Sequence, residues 1–390
     1  MTSSNRHSTA LIKLFSKTVF IGTLSWLSLS VCAAADPGIS DDQILIGQSA
    51  AFTGNTSAEV KQATGGAQLY FDGVNKRGGI AGRKIILESL DDGFEPKRTL
   101  ANTRKLIVEK NVFALFLYRG TPTTEAVFPL LREFRVPLIA PVTGANSMHE
   151  PLQQYIFNVR TKYRDEVEKT VAQVSNMGMQ KLAVFASNDS FGKDALDGLV
   201  NSVKIHKLPT PTIATYERST VAVEPAVAKI IASEPQAVLM FCTAKPCDAF
   251  IRKYRAAGGY QPLFTLSNVS SPAFFSGLGP LARGLGVTQV FPNPRDTTIG
   301  IVKEFRESLK GHPELFDSYP TLEGFIAAKI LTEGLRRAGT TPTREGLIHA
   351  LETLKGIDLG GMSVNYTPTN HTGFNFVELT VIGKNGMIVR

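Results

Sequence analysis

Strand-like and helix-like segments alternate along this chain from residue 43 onward, and that order is met by one architecture, a doubly wound and mainly parallel α/β sheet. Residues 78–92 show the unit. Gly-Gly-Ile-Ala-Gly-Arg turns, Lys-Ile-Ile-Leu-Glu-Ser-Leu runs as an apolar strand, and Asp91-Asp92 stand where that strand should stop. In such folds the ligand crevice lies beyond the carboxyl ends of the strands. The chain therefore points to a binding cleft before it points to any chemistry.

The first 35 residues hold Arg6, Lys13 and Lys17 with no acid, then an apolar run over 19–31 and Ala33-Ala34-Ala35 before Asp36. That is the pattern of a secretory signal peptide, with a run short of the ~20 residues that span a bilayer. Cleavage after Ala35 and a soluble periplasmic product are expected. A lipoprotein leader acylated at Cys32 is the competing reading, but Val31 is bulkier than the small residue such sites favour. Loss of the leader lowers the formal charge from +8 to +5. The remaining basic residues are scattered (Lys61, Arg77, Arg98, Arg104, Arg164, Lys253, Arg306, Arg336), so nothing suggests nucleic-acid binding. About 355 residues remain, more than one core usually serves, and two domains are expected.

Periodicity places strands at 43–47, 84–90, 112–117 and 137–140, with helices at 65–76, 96–110 and 122–134 between them. After 155–160 the pattern begins again: helices at 165–177, 192–206 and 248–257, strands at 181–186, 237–241 and 263–266. The stretch 285–294, ending Phe291-Pro292-Asn293-Pro294, suits a crossover between two lobes. Helices at 298–310, 322–338 and 343–354 follow, the last announced by Thr341-Pro342-Thr343-Arg344-Glu345, then a strand-like 374–382.

No catalytic motif stands out. There is no His-Glu-x-x-His, Gly-x-Ser-x-Gly or phosphate-binding loop, and Gly277-Leu278-Gly279 lacks the third glycine and the strand a dinucleotide site needs. Asp91-Asp92 reads as a structural pair at a strand end rather than as paired catalytic acids. Cys242 and Cys247 bracket a strand-to-helix turn on the cleft side; they are read either as a disulfide or as two thiols. With no second cysteine pair or nearby histidine, zinc is not indicated, and no metal or cofactor is expected.

Ile46-Gly47, Phe52-Thr53-Gly54, Val74-Asn75 before Gly78-Gly79-Ile80-Ala81-Gly82-Arg83, Asp91-Asp92 with Pro96, Val136 to Pro141, and Phe191-Gly192 recur in one order. Together they resemble the substrate-binding proteins of ABC importers, in particular the branched-chain amino-acid (leucine/isoleucine/valine) binding family, over essentially the whole mature chain. The resemblance implies a type I periplasmic binding protein: two lobes joined by three crossovers, closing on a small-molecule ligand. It places lobe I at 36–156 and 291–368 and lobe II at 157–290 and 369–390. It further implies a monomer that serves a permease in the inner membrane and is not an enzyme. A ligand sensor of the same fold, passing its occupancy to a signalling partner, is the alternative.

The resemblance also nominates site residues. The loop Tyr118-Arg119-Gly120-Thr121-Pro122-Thr123-Thr124 stands where the family holds a ligand carboxylate, so Tyr118, Gly120, Thr121 and Thr123 are candidates. Thr121 capping a helix whose first turn holds Pro122 would favour an anion, or would be a cap and nothing more. Thr143 and Gly144 follow the next strand and either meet the ligand or brace the turn, while Phe191 either covers the ligand or belongs to the core. Asn268 lies in Leu266-Ser267-Asn268-Val269, where amino-acid binders usually present a glutamate to the ligand ammonium. The missing acid argues for a deaminated or aromatic carboxylate, because a buried ammonium without a partner is costly. Glu59 is the one residue that could compensate, and a solvated loop acid is the plainer expectation for it.

Overall fold

The computed structural model describes residues 36–386 and 388–389; the expected leader, its cleavage site and Cys32 lie outside them. The first sheet is built by β1 (Gln43–Ala50), α1 (Ser57–Lys76), β2 (Lys84–Asp91), α2 (Pro96–Val108), β3 (Ala114–Phe116), α3 (Thr121–Glu125), α4 (Phe128–Phe134), β4 (Leu138–Ile139) and β5 (Ile156–Phe157). Its strand order is β2-β1-β3-β4-β5, all parallel. Alternation along β3 sends Ala114 and Phe116 to one apolar layer and Leu115 to the other, so both faces are covered.

The chain then crosses over and builds α5 (Tyr163–Asn176), β6 (Leu182–Ser187), α6 (Ser190–Ile205), β7 (Thr212–Tyr216), α7 (Glu224–Ala232), β8 (Ala237–Phe241), α8 (Ala244–Ala256), β9 (Leu263–Thr265), α9 (Pro272–Leu278) and β10 (Gly286–Gln289). It returns with α10 (Gly300–Ser308), α11 (Tyr319–Arg337), α12 (Arg344–Glu352) and the hairpin β11 (Lys355–Asp358) and β12 (Ser363–Asn365). It ends with β13 (Glu378–Ile382) and β14 (Ile388–Val389). The second sheet runs β14-β13-β10-β9-β8-β6-β7, parallel except where β13 joins β10 and β14 joins β13. Each sheet reverses its direction of growth once, between β1 and β3 and between β6 and β8. In doubly wound sheets ligands bind at that reversal.

Several boundaries differ from the sequence expectation for physical reasons. Helix α1 begins at Ser57, not at residue 65, because Gly65-Gly66 sits mid-helix where α1 crosses α11: a Cβ on Gly66 would come 1.9 Å from Thr321 O. The expected single helix over 122–134 is two, parted before Pro129. The sequence reading lacked β7 and α7; β7 is an edge strand with mixed exposure, which weakens its period-2 signal. Phe157 still pairs in the first sheet, and Phe374 still packs in the first core against Phe291, so those crossings run later than 156 and 368.

Candidate functional site

The carboxyl ends of all five strands from β1 to β5 and of β6 to β10 converge on one interlobe cleft. Past β1 comes Glu59, past β2 Phe94, past β3 Arg119, past β4 Val142 and past β5 Arg160; from the other sheet come Phe191, Arg218, Thr243, Asn268 and Gln289. The cleft is closed to two small chambers. One, of about 20 Å³, is walled by Phe94, Pro122, Val142, Tyr163 and Phe191. The other, of about 10 Å³, is polar and is lined by Glu59, Arg160, Ser267, Asn268, Gln289 and Glu323. Arg119 and Asn268 border both. A larger cavity of about 380 Å³ opens between α9, the crossing at Asn293 and the start of α11, and shares Tyr319 with the polar chamber.

Contacts across the cleft hold the lobes together. Arg119 Nη2 donates to Asn268 O at 2.7 Å, and Ser271 Oγ donates to Glu59 Oε1 at 2.5 Å. Arg218 donates from Nη2 to Phe94 O, and its guanidinium sits 4.6 Å from the Phe94 ring centroid, a cation–π contact. Phe94 reaches this position with a φ of 68°, which a bulky residue adopts only when its surroundings impose it. Those surroundings are visible. Asp92 accepts the Phe94 N–H at 2.9 Å and the Ser49 and Thr99 hydroxyls at 3.0 Å each, while Asp91 accepts from Thr53, Gly93 and Arg98. The acid pair thus braces the turn that carries Phe94. Gly120, at φ 95°, leaves room for the ring: a Cβ there would stand 2.5 Å from Phe94 Cε2.

The threonine loop is arranged otherwise than expected. Helix α3 is capped by Gly120, without a side-chain bond, so Thr121 is not its cap. Thr121 Oγ1 instead meets Thr143 Oγ1 at 2.7 Å, and Thr143 Oγ1 also accepts the Ala145 N–H at 3.3 Å. Thr123 Oγ1 donates backward to the carbonyls of Arg119 and Gly120. Tyr118 is the clearest correction: its ring is buried among Leu106, Leu130 and Leu138 and its hydroxyl bonds Thr103 at 2.9 Å, because the chain breaks its alternation just past β3, where Leu117 takes a φ of 55°, and Tyr118 joins the layer of Leu115 rather than that of Phe116. Gly144 contributes backbone, its carbonyl accepting the Tyr163 N–H at 2.7 Å where α5 begins. Phe191 faces the first chamber and stands edge-on to Tyr163, centroids 4.9 Å apart.

Glu59 is no solvated loop acid. It lies in the first turn of α1, 2% exposed, and its Oε2 has no protein partner. Asn268 donates from Nδ2 to Cys242 O at 2.9 Å, and its buried Oδ1 likewise lacks a partner. Cys242 and Cys247 are joined by a disulfide, which fixes the turn bearing that carbonyl.

Two arginines that the sequence did not single out, Arg119 and Arg160, stand in the cleft. Arg160 is fully buried; Nη2 donates to Ser267 Oγ at 2.7 Å and Nε lies 3.4 Å from Glu323. Burial works against its charge, but Glu323, Tyr163 and Glu166 together hold its pKa above the ordinary arginine value. Beneath Ser267, Glu166 accepts the Ser267 N–H at 2.8 Å, its hydroxyl at 3.0 Å and the Thr288 hydroxyl at 2.5 Å. Burial pushes the Glu166 carboxyl up, opposed by Arg160 and these bonds. Arg119 differs from Arg160: it is 7% exposed, and among the described residues no carboxylate is paired with it. The signal that could have found both is position, since each arginine stands three residues past the end of an apolar strand, Phe116 for Arg119 and Phe157 for Arg160.

Among the described residues no helix is long and apolar enough to cross a membrane, and no group of His, Cys, Asp and Glu could hold a metal ion. A family model described as periplasmic binding protein matches residues 43–386. The chain is 34% identical to a substrate-binding periplasmic protein from Ralstonia solanacearum, whose structure superposes with a TM-score of 0.84 over 89% of this chain and 99% of that one. A possible leucine/isoleucine/valine-binding protein from Rhodopirellula baltica SH 1 gives 28% identity and a TM-score of 0.85 over 90% and 96% of the two chains. A Leu/Ile/Val-binding protein homolog 3 from Brucella melitensis is 24% identical across 92% of this chain and 94% of its own.

Proposed function

Because the chain belongs to the periplasmic binding protein family, we propose that it is an exported solute-binding protein that captures a small carboxylate-bearing solute and delivers it to an ABC permease in the inner membrane. Lobe I, which runs past 156 to include Phe157 and past 368 to include Phe374, and lobe II close on the solute, and the permease reads the closed form. The basic, apolar and Ala-Ala-Ala pattern of residues 1–35 supports export, and the Leu/Ile/Val names of relatives support an organic acid or amino acid as cargo.

The observation that carries the reading is Arg119. A buried guanidinium with no carboxylate partner is costly to keep in a cleft, and a ligand carboxylate offsets that cost with charge-assisted, bidentate hydrogen bonds. The test is a thermal-shift and calorimetric screen of amino acids, 2-oxo acids, aromatic acids, short-chain carboxylates and neutral sugars. A carboxylate at 100 times its Kd should raise stability by roughly 2.7 kcal/mol. Stabilisation by neutral solutes alone would remove the carboxylate reading.

A further inference from the structure

The missing acid at Ser267-Asn268 led the sequence toward a deaminated ligand; the structure restores an acid from the opposite lobe. Of the buried charged groups lining the polar chamber, Arg160 and Glu323 are paired with each other, which leaves one of each sign without a charged partner: Arg119 and Glu59. They border the same chamber and form no ion pair together. Glu59 accepts one hydroxyl hydrogen bond and keeps Oε2 unpartnered, and the Oδ1 of Asn268 and Oε1 of Gln289, both buried, are also unpartnered acceptors. Arg160, whose Nε and Nη1 also lack a hydrogen-bond partner, is balanced by Glu323, so the acceptors gathered around Glu59 ask for a compact, multi-donor cation. The chamber's volume of about 10 Å³ is close to the ~10–15 Å³ one water needs, and an ammonium is of that size.

We propose that Glu59, supported by Asn268 Oδ1 and Gln289 Oε1, receives the ammonium of a zwitterionic ligand whose carboxylate meets Arg119, so that selectivity for an amino acid over its deaminated analogue is set from lobe I. The inference rests on the carboxylate reading above and adds the second charge. A purely structural acid in the first turn of α1 would favour the helix dipole and Ser271, and would affect stability without sorting ligands.

The experiment compares leucine with its 2-oxo analogue, and phenylalanine with its own, by calorimetry on the wild type, Glu59→Gln and Ser271→Ala. The wild type should prefer the amino acid of at least one pair by about tenfold or more. Glu59→Gln should bring that pair to within about threefold, and a wild-type circular dichroism spectrum with a cooperative thermal transition should show that it is folded. Ser271→Ala, which keeps the carboxylate, should retain the preference. Equal wild-type affinity for both members of each pair, or a preference unchanged in Glu59→Gln, would overturn the Glu59 assignment and leave the carboxylate reading standing. Absence of binding by every carboxylate, with neutral solutes binding, would remove both.

Discussion

The two chambers of the cleft differ in how far their hydrogen bonding is already complete. In the aromatic chamber the hydroxyls that look most like a receptor in the sequence are engaged with their own loop: Thr121 with Thr143, and Thr123 with the carbonyls behind it. In the polar chamber Glu59 Oε2, Gln289 Oε1 and two Arg160 nitrogens are buried without a hydrogen-bond partner, as is Asn268 Oδ1 between the two chambers, against Thr56 Oγ1 in the aromatic one. Since buried polar groups are nearly always paired, unfinished bonding is the better guide to where a ligand's polar groups belong. The first chamber is a surface for shape and dispersion, the second for charge, and Arg119 joins them.

The sharpest way to break this division is Arg119→Met, which should weaken carboxylate binding by about 2–5 kcal/mol, since it removes one partner of a desolvated charge pair. Calorimetry on the tightest acid found in the screen decides it, and an affinity within about threefold of wild type would deny Arg119 its linking place. Next in size is Arg218→Ala. It removes the hydrogen bond to Phe94 O and the cation–π contact, and should lower affinity by about 1–2 kcal/mol for amino and oxo acids alike. The loss should reside in faster dissociation, read by stopped flow, because interface changes act mainly on the off-rate.

A smaller effect is expected from Phe191→Leu, which keeps apolar bulk but loses the edge-on pair with Tyr163: about 0.5–1.5 kcal/mol, felt most by aromatic ligands. Its amino-to-oxo preference should match the wild type's; a changed preference would merge the two chambers into one. The smallest change in affinity belongs to Thr121→Val, below about 0.5 kcal/mol, with a stability loss of about 1 kcal/mol because the Thr143 hydroxyl loses the nearer of its two partners. Denaturant titration beside calorimetry separates the two, and a binding loss comparable to that of Arg119→Met would return the carboxylate to the threonine loop.

Much of the architecture was legible because it rests on local periodicity. Apolar runs such as Ile44-Leu45-Ile46 and Ala237 to Phe241 can be little else than strands buried between helix layers, and Thr343, expected at a helix start, accepts the Gly346 N–H at 2.9 Å. Where the reading slipped, the cause was contact. Gly65-Gly66 looks like a break in a helix until α11 is seen pressed against it, and with the helix begun too late Glu59 was left on a loop.

The sequence by itself determined the order of strands and helices and the two-lobed α/β plan, because each depends on spacing along the chain, and its family resemblance implied the loops at which a ligand would be met. Which side chains in those loops face the cleft was decided only in three dimensions. The left-handed backbone at Leu117 turned Tyr118 inward, neighbouring carbonyls and hydroxyls engaged Thr121, Thr123 and Thr143, and the approach of the lobes left Arg119 and Glu59 buried without charged partners. Such pairing is a property of groups brought together from residues as far apart as Glu59 and Ser271, and no local pattern records it.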